Sequence, residues 1–271
     1  MLRRAKNSEP VLHTMQTQSS NVLLEVCAGS LPSALAAESG GADRIELCTA
    51  LDLGGLTPSP GCLKAVKRAL SIPVRVLIRP REGDFCYSPM ERELLCEDIR
   101  AARDLGADGI VSGALLTDGS LDLRTIEAML QAAGPLPFTF HRAFDQCCEP
   151  LYALQKLQML GVDCILSSGQ AADAYAGRAL LRRMVGNARS GAGPRPCIMA
   201  GAGVSAQNIA MLLKQTRVGA VHLSAKTWVS SPMQYRQTAA YMGGKASQRS
   251  EFDYMQTDEA EVRRCKEALG S

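Results

Sequence analysis

Several features that would assign a function at once are missing from this 271-residue chain. No apolar run reaches the ~20 residues of a membrane-spanning helix, which predicts a protein without a membrane partner. The net charge of +3 is small and the basic residues are scattered, which argues against nucleic acid as a partner. Neither an HExxH nor a GxSxG motif is present, and the predicted sixth strand lacks the lysine common in barrel aldolases.

The ten cysteines form neither a secretory nor a zinc-binding pattern. No apolar signal-peptide core precedes them, and several lie inside apolar, strand-like runs where free thiols act as small hydrophobic groups. No CxxC pair occurs, which argues against a structural zinc site. We therefore predict a protein of a reducing compartment, with free thiols rather than a disulfide framework.

Short apolar strands alternate with helical stretches along most of the chain. Strands are predicted at 22–28, 44–49, 74–80, 109–114, 138–144, 164–169, 197–203 and 220–226. Helices are predicted at 31–40, 59–70, 89–105, 122–132, 149–160, 173–188 and 205–215, with Ser30 and Ser205 before the first and last of these. Eight strand–helix units in about 250 residues predict the α/β class, as a single (β/α)8 TIM barrel.

The barrel proper is predicted at 22–227, within a domain of residues 21–271. Residues 1–20 lack periodicity and are predicted to be a disordered N-terminal extension; an early cluster of basic residues leaves a mitochondrial transit peptide as the alternative. After residue 227 an irregular arm at 228–257 precedes a closing helix at 258–269. We expect this arm either to pack on the barrel bottom or to engage a neighbouring subunit.

Charged residues stand at positions where a barrel interior is normally aliphatic. Glu25, Glu46, Arg79, His141 and His222 share strand faces with inward-pointing neighbours, near the carboxyl ends of the strands. We predict that they meet at the mouth, with Glu25 or Glu46 as a general base, His141 as an acid and Arg79 as an anion clamp. Asp145 follows strand five and is predicted to orient His141. The alternative is a set of buried ion pairs that fills the barrel.

Two cysteines are also predicted on these inward strand faces. Cys27 lies two residues after Glu25, and Cys48 lies two residues after Glu46, so strands one and two carry the same E-x-C pattern. Thiolates on neighbouring strands about 4.8 Å apart could hold a soft metal, and two thiolates with few other ligands suit Cu(I). Two buried structural cysteines are the alternative.

The loops after strands seven and eight favour an anion. In barrels these loops often bind phosphate through backbone N–H groups and a helix N-terminus. Gly201, Gly203 and Ser224 are the candidate residues, since glycines let the backbone approach an anion closely. A tight turn without a ligand is the alternative.

A set of motifs, in order and at matching spacing over residues 22–257, resembles the CutC family of copper homeostasis proteins. The motifs are GGADRIELC (40–48), GGLTPS (54–59), IRPREGDFCYS (78–88), DIRAARDLGADGIVSGALLTDGSLD (98–122) and FHRAFD (140–145). One departure is Ala200-Gly201-Ala202-Gly203, where the family typically has a Pro-Gly-Gly-Gly run.

The resemblance implies a TIM barrel, a cytoplasmic and also nuclear location, and a homodimer or homotetramer. It implies a copper ion as partner, with Cu(I) at Cys27 and Cys48. It does not explain the Glu/Arg/His residues, so two other hypotheses stay open. One is an isomerase or lyase acting on a small phosphorylated or carboxylated metabolite. The other is an interaction scaffold that works through the 228–257 arm.

Overall fold

Eight parallel strands close into a barrel, which confirms the predicted (β/α)8 fold. The structure, a computed structural model, describes residues 22–190, 196–237, 239, 250 and 252–270; the predicted extension at 1–20 lies outside these residues. The barrel strands are β1 (Leu23–Ala28), β2 (Arg44–Leu47), β3 (Val74–Leu77), β4 (Gly109–Ser112), β5 (Phe138–Phe140), β6 (Cys164–Ser167), β7 (Cys197–Gly201) and β8 (Ala220–Leu223).

Helices follow the strands around the outside of the barrel. They are α1 (Leu31–Ser39), α2 (Pro60–Ala69), α3 (Pro89–Asp104), α4 (Leu123–Ala133), α5 (Pro150–Met159), α6 (Arg178–Ser190), α7 (Ile209–Thr216) and α8 (Glu259–Leu269). The hydroxyl of Ser30 accepts a hydrogen bond from the Ser33 N–H, so the predicted start of α1 is confirmed. None of the described helices combines the length and apolarity that a bilayer crossing requires.

The prediction was wrong at the start of two helices. Helix α6 begins at Arg178 rather than at 173, because residues 171–177 form a turn that follows β6. Helix α7 begins at Ile209 rather than after Ser205. The Ser205 N–H donates to the Asn208 side chain, and its carbonyl accepts from Ile209, so a turn occupies the place of the predicted first helical turn.

The predicted strands extend too far at their carboxyl ends, where the chain turns to build the mouth. Strand β5 ends at Phe140, and a 3-10 helix over Arg142–Gln146 follows it. His141 caps that helix, because its Nδ1 accepts a hydrogen bond from the Ala143 N–H at 3.2 Å. His141 therefore caps a 3-10 helix and does not lie in the predicted strand, and Asp145 lies within that helix.

Each strand presents one face to the helices and one to the barrel interior. The outward face is apolar and packs on the helices: Val26, Ile45 and Ile110 are fully buried there. The inward face carries Glu25, Cys27, Glu46 and Cys48 among its buried residues. Strand periodicity predicts this orientation of both E-x-C patterns, and it agrees with the packing of Cys27 and Cys48 in a cluster separate from the outer apolar core.

The segment after the barrel is more regular than predicted. Strand β9 (Lys226–Val229) pairs antiparallel with β10 (Tyr254–Thr257), although residues 228–257 were predicted to be irregular. Helix α8 starts at the cap residue Asp258 and contacts α1 and α7, where the eighth helix of a barrel belongs. Lys266 on α8 forms an ion pair with Asp43 at 2.6 Å, which ties the helix to the start of β2.

Candidate functional site

A cavity of about 430 Å³ opens at the carboxyl ends of the strands; we call it the mouth cavity. Its wall contains Cys27, Glu46, Cys48, Arg79, His141, His222, Gly203 and Ser224, all singled out in the sequence. Glu25, Gly201 and Asp145 do not line it. Fully buried Glu25 lies beneath it on β1, and Asp145 lines a neighbouring cleft.

The two E-x-C patterns are staggered rather than side by side. Glu25 is the register partner of Arg44, and Cys27 is the partner of Glu46. This shift of two residues is the stagger that closes a barrel from tilted strands. Cys48 therefore lies one step nearer the mouth than Cys27, and the two side chains meet diagonally.

Glu25 joins two cations beneath the mouth cavity. Its carboxylate accepts from the guanidinium of Arg44 and from Nδ1 of His222, the latter at 2.8 Å. Burial favours the neutral acid, but the hydrogen bonds and charges of His222 and Arg44 outweigh it and lower the pKa of Glu25 to about 2. Glu25 is therefore an ionised anchor for two neighbours and has no oxygen on the cavity wall.

Cys27 and Cys48 belong to one buried cluster on the cavity wall, and the Cys48 thiol donates to the Ala28 carbonyl at 3.8 Å. The neighbouring Cys48 thiol, assisted by His222, outweighs burial and lowers the pKa of Cys27 to about 5. The proximity of Cys27, together with burial, raises the pKa of Cys48. Cys27 is thus a thiolate at neutral pH, and Cys48 beside it keeps its proton.

Charges around these thiols compensate one another. Burial opposes a charge on His222, but the hydrogen bonds to Cys27 and Glu25 and the negative charge of Cys27 raise its pKa well above 6.5. Arg44 and His222 then carry two positive charges, and Glu25 and Cys27 carry two negative ones. A network without net charge can be buried at far lower cost than isolated ions.

Glu46 is not one of the four charged groups of this network. It is buried, and its Oε2 has no hydrogen-bond partner among the described residues. Burial raises its pKa to about 8, so the carboxyl group holds a proton at neutral pH. Ligand atoms of Glu25, Glu46 and His222 lie within 4.8 Å of one another, so this corner can also hold a metal ion.

Most N–H donors of Arg79 are hydrogen-bonded to backbone carbonyls of the loops around the mouth cavity. One terminal nitrogen donates to the carbonyls of Leu53 and Gly55 at 2.9 and 3.1 Å, and the other donates to Gly83 at 2.9 Å. Its Nε is buried without a partner among the described residues. The predicted anion clamp therefore has few donors left, and Arg79 mainly fixes the loops.

The predicted hydrogen bond between Asp145 and His141 is not formed. The Asp145 carboxylate accepts from the Arg142 side chain, the Ser167 hydroxyl and the Ser168 N–H instead. Nε2 of His141 is buried and unpartnered within the described part of the chain. Burial and the nearby Arg79 lower the pKa of His141 to about 3, so this imidazole is neutral.

The loop after β7 differs from the predicted anion site. Gly203 lines the mouth cavity with a φ of +66°, and Ala202 shares this left-handed conformation at +78°. Gly201 serves packing instead, because a Cβ there would lie 2.5 Å from Leu166. With α7 starting at Ile209, the expected helix N-terminus does not open directly from this loop.

Sequence reasoning missed two side chains of the cavity wall that lie inside the motifs quoted above, those of Phe85 and Arg142. Phe85 places its ring 4.9 Å from that of His141 and 5.1 Å from the Arg79 guanidinium carbon. Arg142, directly after His141, also lines the cavity. Neither lies in a predicted inward strand position, so strand periodicity gave no signal for them.

Known proteins share both the fold and the sequence of this chain. A solved structure from Streptococcus agalactiae, described as a candidate copper homeostasis protein CutC, is 33% identical. The match covers 75% of this chain and 98% of that one, with a TM-score of 0.71.

Two enzymes share the fold alone. Thiamine phosphate pyrophosphorylase from Pyrococcus furiosus is 15% identical, with a TM-score of 0.54 over 93% of this chain and 97% of that one. Phosphoribosyl anthranilate isomerase from Thermotoga maritima is 11% identical, with a TM-score of 0.54 over 92% of this chain and 98% of that one.

The model of the CutC family matches residues 22–227, which is the whole barrel. The chain therefore belongs to the CutC family.

Proposed function

We propose that this protein binds Cu(I) through Cys27 and Cys48 and acts in copper homeostasis. The observation that carries the proposal is the placement of both cysteines in one buried cluster on the wall of an open cavity. Membership of the CutC family supports copper homeostasis at the level of the family. A reducing cytoplasmic compartment would keep both thiols available.

The chemistry of the two sulfurs favours a soft, monovalent ion. Thiolates select Cu(I), whereas Zn(II) takes four ligands in structural sites. The Cys27 thiolate is ready to bind, and the second bond requires Cys48 to lose its proton. One Cu(I) would therefore displace one proton, and the complex of two thiolates and one Cu(I) would carry a single negative charge next to His222.

Changing both cysteines to serine is expected to weaken binding of Cu(I) by about 100-fold or more, since loss of supporting residues alone costs 10–100-fold. The measurement is an anaerobic titration of reduced protein against a Cu(I) chelator of known affinity. The control carries Cys62→Ser and Cys148→Ser, two more exposed positions, and should match the wild type. If the mouth variant bound as many equivalents of Cu(I) as the control, with the same affinity, this site would be ruled out.

A second candidate function is catalysis on a small anionic metabolite. The observation that favours it is the pairing of a protonated carboxyl group with a neutral imidazole, Glu46 and His141, on one cavity wall. Such a pair could supply an acid and a base, and 430 Å³ is within the size range of ligand pockets.

Native mass spectrometry of the freshly purified protein tests this candidate. We expect a bound phosphorylated or carboxylated compound of a few hundred daltons, and a Glu46→Gln variant should retain less of it. A wild-type mass that equals the bare chain, with or without copper, would leave the catalytic proposal unsupported.

A further inference from the structure

A second pair of cysteines faces the barrel interior at the opposite end of the strands. Cys164 opens β6 and Cys197 opens β7, and the two are register partners. Both belong to an inward cluster that also contains Met199, Leu166, Ala220 and Leu23; we call it the floor cluster. Cys164 is buried, whereas Cys197 is partly exposed, so the pair can be reached from the floor of the barrel.

Three sulfur-bearing side chains belong to the floor cluster. Cys164 and Cys197 are direct neighbours across the β6–β7 pair. Met199 is two residues after Cys197 on the same inward face, and its fully buried Sδ lies 3.6 Å from a terminal nitrogen of Arg44. Arg44 is also close enough to Cys164 to interact with it electrostatically.

The floor cluster lies beside a positive charge that lacks a carboxylate. Arg75 is buried and its guanidinium donates to the Thr139 hydroxyl. None of the ion pairs among the described residues involves Arg75. A buried charge of this kind is costly without a compensating anion. The adjacent thiols are the groups that can supply one.

We propose that Cys164 and Cys197, with the thioether of Met199, form a second Cu(I) site at the floor of the barrel. Binding would replace the protons of both thiols: Cu(I) and two thiols give a bis-thiolate complex of charge −1 and two released protons. That negative charge lies next to Arg44 and Arg75. Thiolate and thioether sulfur are the ligands that select Cu(I).

The ligand set of the floor also argues against a harder metal. Among the described residues, one group of three or more His, Cys, Asp or Glu side chains can hold a metal, and it is Glu25, Glu46 and His222 at the mouth. The floor therefore offers two thiols and a thioether, too few ligands for a tetrahedral zinc site.

Stoichiometry separates this site from the one at the mouth. Reduced wild-type protein, titrated anaerobically with Cu(I) against a chelator, should bind two equivalents. The Cys27→Ser/Cys48→Ser variant should keep one, the Cys164→Ser/Cys197→Ser variant should keep one, and the variant with all four changes should bind none.

X-ray absorption on the copper-loaded Cys27→Ser/Cys48→Ser protein should give a sulfur-only shell that loses one sulfur when Met199→Leu is added. The Cys27→Ser/Cys48→Ser variant leaves the floor cluster unchanged. It therefore tests the proposal even if the Cys164→Ser/Cys197→Ser variant does not fold. No copper bound to it would overturn the floor site. The mouth proposal would stand in that case if the wild type still bound one equivalent. Recovery of Cys164 and Cys197 as a disulfide from the loaded sample would also overturn the floor site.

Discussion

Glu25→Gln is expected to lower the free energy of unfolding by about 3–5 kcal/mol, the usual cost of breaking a buried ion pair by removing one partner. The carboxylate of Glu25 is fully buried and is the ion-pair partner of both Arg44 and His222. Glutamine keeps the shape of the side chain but removes the charge. Arg44 is then left buried without its carboxylate, and the hydrogen bond to His222 Nδ1 is weakened.

Equilibrium unfolding in urea at pH 7 measures this change. The matched control is Glu259→Gln, which removes a carboxylate that pairs with Arg263 on the surface of α8. An exposed pair contributes little, so the control should change stability by no more than about 0.5 kcal/mol. If the two variants lost the same stability, the charges beneath the mouth cavity would not form the compensated network that we describe.

The inward-facing residues could be predicted because strand alternation is a local property. Glu25 and Cys27 share a face by their spacing alone, as do Glu46 and Cys48. Of the seven residues predicted at the mouth, the five charged ones and the two cysteines, all but Glu25 line one cavity. Their partners could not be predicted, because the stagger between strands depends on how the whole barrel closes. Arg44 is therefore opposite Glu25, although the sequence drew attention to Glu46.

The spacing of Arg44 and Arg75 along their strands indicates that both point into the barrel, although neither was predicted as a site residue. Arg44 is two residues before Glu46, and Arg75 is two residues before Leu77, so strand alternation already places both side chains inside the barrel. They stand at the beginning of their strands, far from the mouth where a catalytic site was expected. The prediction considered the carboxyl ends of the strands, so it did not include the charged residues and thiols of the floor cluster.

Errors in the prediction cluster where backbone hydrogen bonds decide the structure. His141 caps a 3-10 helix through its own Nδ1, and Asp145 turns toward Ser167 and Ser168 on the next strand. Pairing of β9 with β10 joins segments more than twenty residues apart. Neither the direction of a turn nor a long-range strand pair is encoded in the period of the apolar residues.

The stability of the wild type is expected to fall more steeply in acid than that of a His141→Asn variant. Burial and Arg79 lower the pKa of His141 to about 3, against an ordinary value of 6.5. Between these two pH values the unfolded chain binds a proton that the folded chain does not, so folding loses free energy as the pH falls. The contribution is about 2 kcal/mol by pH 5 and about 3 kcal/mol by pH 4, at 1.36 kcal/mol per pH unit below 6.5.

Asparagine is the informative replacement because its side-chain oxygen can still accept the Ala143 N–H and cap the 3-10 helix. The measurement is the free energy of unfolding of both proteins at pH 7, 6, 5 and 4. Other groups that titrate in this range contribute equally to both proteins, so the difference between the two curves isolates His141. It should be flat above pH 6.5 and should then shift steadily in favour of the variant as the pH falls. Parallel curves down to pH 4 would mean that the imidazole accepts a proton in the folded protein. His141 would then face the mouth cavity as a cation rather than as the neutral base that the second candidate function requires.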